Sequence, residues 1–74
     1  MKIELLGTTN VLLTEIRQGL TRKEVALTYA MALGSSVETD WAKVNAAILD
    51  RWSMHALTWI KERAWKIAEG KIAP

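Results

Sequence analysis

Residues 40–69 read DWAKVNAAILDRWSMHALTWIKERAWKIAE, a run without glycine or proline. Most of these residues are good helix formers. The stretch is therefore helical, either as one long helix or as two helices bent near Ser53, the natural second cap inside it. Taken as continuous, with about 100° per residue, it carries two apolar stripes. Ala42, Ala46, Leu49, Ser53, Ala56, Ile60 and Ile67 form one. Trp41, Ile48, Trp52, His55 and Trp59 form the other, about 110° away, with Val44 at its edge. Trp65 falls on neither stripe.

Two stripes need two covers. Three fates are open for the tryptophan stripe. A bend at Ser53 turns both halves toward one core, or the stripe is a self-association surface, or it meets another protein or a base-like ligand. Tryptophan is enriched at the centres of interfaces, so Trp41, Ile48, Trp52, His55 and Trp59 form the candidate protein interface.

Upstream, Thr21-Arg22-Lys23-Glu24 is a capping box: the Thr21 hydroxyl accepts the Glu24 amide and the Glu24 carboxylate reaches back. Leu20 and Val25 flank it as a hydrophobic staple. The helix that follows, about residues 22–33, is apolar on nearly every face, which marks a central core helix. A shorter helix over about residues 9–18 carries Val11, Leu12 and Ile16, with Thr8 or Thr9 as cap. Residues 1–8 form an arm, extended or turned. Gly7, Gly19, Gly34 and Gly70 punctuate these segments, each as a candidate helix stop in the left-handed conformation. Ser35 to Thr39 makes a turn, and Thr39 or Asp40 caps the next helix. The expected fold is a single all-α domain, residues 1–74, of three to four helices.

The chain has 74 residues, no cysteine and one histidine. Disulfides, thiolate zinc sites, thiol catalysis and multi-histidine metal sites are excluded. A domain this small often relies on a staple, a metal or a partner, and here the partner stands out. The formal charge is +2, mildly basic. No apolar run reaches the roughly 18 residues of a membrane span, and Met1-Lys2-Ile3-Glu4-Leu5-Leu6 lacks the long apolar core of a signal peptide. The expected location is the cytoplasm, where thiol-free chains fit readily.

No catalytic constellation emerges. His55 stands without a serine or carboxylate at a telling spacing. Glu38 and Asp40 read as turn and capping residues. Asp50, Glu62 and Glu69 each have a cation within helical reach. There is no phosphate-cradling glycine loop or nucleophile elbow. The chain reads as a non-enzyme with no cofactor and no metal. Glu24-Val25-Ala26 followed by Gly34 and a later helix has a helix-turn-helix rhythm. The register, however, puts Asp40 where a buried apolar residue belongs, and no Arg, Asn and Gln cluster opens the next helix for base reading. The alternative nucleic-acid or nucleotide site is Lys61, Arg63, Trp65 and Lys66, where cations interleave with an aromatic.

The segments Asp40-Trp41, Val44-Asn45, Ala47-Ile48, Arg51-Trp52-Ser53, Leu57, Ile60-Lys61 and Ala64-Trp65-Lys66 resemble the C-terminal part of small uncharacterised phage and prophage proteins. The likeness spans roughly residues 21–69 and rests on Arg-Trp-Ser and Ala-Trp-Lys. It implies a phage origin and transfers no functional residues. Small accessory phage proteins often act by binding, blocking a host protein or sequestering a nucleotide signal. The leading expectation is thus a non-enzymatic binding protein, oligomeric with itself or seated on a host protein as an inhibitor.

Overall fold

The computed structural model describes residues 9–35 and 38–74. Four helices follow in order: α1 (Thr9–Arg17), α2 (Arg22–Gly34), α3 (Trp41–Arg51) and α4 (Met54–Ala68). Among the described residues there is no strand, and the domain is all-α. The expected arm lies outside the described residues, as do Thr8, Gly7 and part of the Ser35–Thr39 turn.

Local chemistry sets the helix ends. Thr21 caps α2 with both halves of the capping box formed. Its hydroxyl oxygen accepts from Glu24 N–H at 3.2 Å, and its own N–H donates to Glu24 Oε1 at 3.1 Å. Asp40 caps α3 by accepting from Lys43 N–H. Gly19 and Gly70 hold φ of 78° and 75° at the turns after α1 and α4, where a Cβ would be strained. Gly34 differs from expectation: it is the last residue of α2 itself, and an extended Ser35 ends the helix.

The 40–69 stretch is two helices. Trp52 leaves the helix in an extended conformation while its N–H still donates to Ile48 O at 2.8 Å. Ser53 starts α4, its hydroxyl accepting from Ala56 N–H at 3.2 Å. The break exchanges the two stripes. In α3 the tryptophan stripe turns inward, with Val44 and Ile48 fully buried, while Ala42, Ala46 and Leu49 face outward. In α4 the other stripe is inside: Ala56 and Ile60 are buried and Ile67 half-buried, while His55 is exposed. One core therefore serves both stripes in succession, and the continuous-helix geometry does not apply.

The core gathers Leu12 and Ile16 of α1, Val25, Ala26, Tyr29, Ala30 and Ala32 of α2, Val44 and Ile48 of α3, and Leu57, Ile60 and Ala64 of α4. Helix α2 packs most extensively on α4, and α1 on α3. The Asp40 N–H donates to Thr9 Oγ1 at 2.8 Å, which joins the starts of α1 and α3. A Cβ on Gly19 would lie 3.3 Å from Arg51 Nη2, so the ends of these helices also meet. Helices α1 and α3 thus run parallel, side by side.

Candidate functional site

Of the expected protein interface, Ile48 is not at the surface. Ile48 is fully buried and belongs to the core. Trp41 is half-buried on Tyr29, with ring centroids 4.9 Å apart and planes tilted by 58°. The Tyr29 hydroxyl donates to Asn45 Oδ1 at 3.3 Å, and burial raises the pKa of this phenol above its ordinary value. Trp52 and Trp59 are half-buried and His55 exposed. The inward turn of α3 removes Ile48 from any surface, while Trp41, like Trp52 and Trp59, is partly buried against the core.

The expected basic site on α4 is divided. Lys61 and Arg63 are two residues apart, about 200° around the helix. They flank the buried stripe of Ala56, Leu57, Ile60 and Ala64 from opposite sides. Trp65 follows Lys61 by four residues and sits on its side, whereas Lys66 follows Arg63 by three. Arg63 and Lys66 therefore form one group, and Lys61 and Trp65 another.

A different cluster appears in space. The Arg22 guanidinium carbon lies 5.3 Å from the Trp59 ring centroid, and that of Arg63 lies 5.5 Å from the same centroid. Trp59, Glu62, Arg63, Lys66 and Ile72 line a hollow of about 120 Å³ beside them. Arg51 lies 5.5 Å from the Trp52 ring centroid and reaches the backbone at Gly19. Gly19 is three residues before Arg22, at most about 11 Å of chain. Arg17 and Arg51 in turn line one groove. The arginines thus form two pairs, Arg22 with Arg63 around the Trp59 ring and Arg17 with Arg51 along the groove, with Arg51 beside the α1–α2 turn. Stacking on indole holds a guanidinium without neutralising it.

Their charges remain open. Among the described residues the one ion pair joins Lys71 Nζ to Glu69 Oε2 at 3.2 Å, on the surface. The Glu24 carboxylate is engaged by Thr21 in the capping box. Among the described residues, no arginine is ion-paired with a carboxylate. The spacing 17, 22, 51, 63 gives no periodic signal, which is why the sequence alone does not reveal the cluster.

The groove between α1 and α3 measures about 630 Å³. Leu13, Ile16, Ala46 and Ala47 supply its apolar lining, and Arg17, Lys43, Asp50 and Arg51 its polar lining. It exists because α3 presents alanines where larger side chains would fill the space. Among the described residues, no three side chains of metal-binding type cluster, and no helix is long and apolar enough to cross a membrane.

Comparison with family models, curated proteins and solved structures finds no match to this chain. The site therefore rests on its own geometry.

Proposed function

We propose that the protein is a non-enzymatic nucleic-acid-binding protein of the cytoplasm that grips a phosphate backbone with its arginine–tryptophan surface. The observation that carries this reading is the pair of arginines, Arg22 on α2 and Arg63 on α4, both held on the Trp59 ring, with no ion pair to either among the described residues. Guanidinium groups match phosphate in shape and charge. Arg17 and Arg51 make a second arginine pair along the α1–α3 groove, and two cationic groups suit a polymer of anions better than a single ion. The test is a salt titration of binding to a labelled oligonucleotide. Four phosphate contacts give a slope of log K against log salt of about −3. Arg22→Ala with Arg63→Ala should reduce its magnitude by about 1.5. Absent or salt-insensitive binding refutes the reading.

A second reading keeps a protein partner, a second copy or the host factor that a phage-derived protein would block, and shifts its location. Met54 and Trp65 are 65% and 51% exposed. Eleven residues apart on α4, they lie within about 20° of each other around the axis and about 16 Å apart along it. Solution mass tests self-association: Trp65→Lys should dissolve any oligomer, and a monomer at high concentration removes the homo-oligomeric form of this reading.

A further inference from the structure

We propose that the groove between α1 and α3 is a slot for an unpaired nucleobase. The protein then takes single-stranded nucleic acid and favours bases with an exocyclic amino group, cytosine the clearest case, over thymine. This rests on the nucleic-acid reading above and narrows it to a substrate class.

The groove combines three kinds of lining that a phosphate site alone would not need. Its volume, about 630 Å³, falls within the roughly 300–1,000 Å³ of small-ligand sites. Its apolar part, Leu13, Ile16, Ala46 and Ala47, offers a flat base a surface out of water, and the alanines leave room for a ring. Arg17, Lys43 and Arg51 supply charges for the phosphates on either side of that base.

The remaining polar residue, Asp50, decides the matter. A carboxylate among three cations weakens a general phosphate site by repulsion. It is not spent on those cations either, since no ion pair ties Asp50 to Arg17, Lys43 or Arg51 among the described residues. An ionised carboxylate only accepts hydrogen bonds. The ligand atom facing it must therefore carry a proton. The cytosine N4 amino group does, and Asp or Glu is its usual side-chain acceptor. The thymine O4 carbonyl would meet the carboxylate lone pair to lone pair. A base stacked within a duplex cannot lay its face on the groove, so the slot selects single strands.

The experiment measures fluorescence anisotropy at fixed salt. The probes are fluorescein-labelled oligodeoxycytidine and oligodeoxythymidine of about a dozen nucleotides, and a duplex of the same length. The wild-type protein should hold the cytidine strand about ten-fold more tightly than the thymidine strand, the effect of one hydrogen bond to a charged group. Asp50→Ala should bring that ratio near one, chiefly by tightening the thymidine strand. Ala46→Trp, an exposed position where folding is checked by circular dichroism, should weaken both single strands and leave the duplex unchanged. The slot is overturned by a wild-type ratio of one, or by Asp50→Ala tightening both strands equally. It is also overturned if Ala46→Trp leaves single-strand binding intact. Salt-sensitive binding of all three probes at equal strength overturns the slot while the backbone-binding reading stands. Binding of none overturns both.

Discussion

Replacing Ser53 with alanine tests why the 40–69 stretch breaks. Ser53 is the N-cap that immediately precedes α4, accepting from Ala56 N–H at 3.2 Å. Alanine removes that acceptor and strengthens helix propensity at the break, so propensity alone would fuse α3 and α4. The core forbids fusion. Ile48 and Ile60 are both fully buried, and they are twelve residues apart, about 120° around a continuous helix. With α3 held in place, a fused helix would swing Leu57 and Ile60 away from the core. Burial of each of these side chains stabilises the fold by about 1.5–3 kcal/mol, far more than propensity contributes at one site. The variant therefore keeps its break and loses only the cap, about 1 kcal/mol. For a domain of this size that lowers Tm by about 4–8 °C. Thermal unfolding followed by circular dichroism measures the loss, and the far-ultraviolet spectrum at low temperature reads helix content. An increase in helix content, or a variant as stable as the parent, would refute the argument that the core imposes the break.

Ile60→Ala opens a cavity under α2 and should cost about 2–5 kcal/mol, a large part of the roughly 4–11 kcal/mol that a domain of this length holds; a urea midpoint measures it. Tyr29 gives a pH effect of definite sign: burial holds its phenol protonated above the ordinary value of 10.0. The unfolded chain loses that proton first, so stability declines as pH rises past about 10. Tyr29→Phe should cost about 0.5–1.5 kcal/mol at neutral pH and flatten the alkaline decline in a urea series, and an unchanged decline contradicts the assignment. Gly19→Ala forces a side chain into φ 78° with its Cβ 3.3 Å from Arg51 Nη2, and should cost about 1–2 kcal/mol in the same assay.

The parts of the fold that depend on neighbours in the chain are legible in the sequence. The Thr21–Glu24 capping box, the stop at Gly19 and the cap at Ser53 are each a few adjacent residues with one local solution. The two stripes on residues 40–69 were also legible, together with the possibility that a bend would serve both. The sequence does not reveal which stripe each half turns inward, because that depends on α1 and α2 lying on either side. Hence Ile48, expected at an interface, is at the centre, while Trp59 stays near the surface. The cationic site fails for a similar reason. Lys61, Arg63, Trp65 and Lys66 are close in sequence but divided by the turn of the helix. Arg22 and Arg63 come from α2 and α4, Arg17 and Arg51 from α1 and α3, and only helix packing forms each pair.

The pairing of α2 with α4 sets an order for synthesis. Helix α2 is complete at Gly34, yet the helix that covers it ends at Ala68. At roughly 5–20 residues per second, the most apolar segment of the chain waits about 2–7 s for its lid. During that interval it presents Val25, Ala26, Tyr29 and Ala30 to whatever is nearby. Slow codons between the two helices would lengthen the wait. Yield in a slowly translating cell, and its recovery by a chaperone that binds nascent apolar segments, is where this arrangement would first be felt.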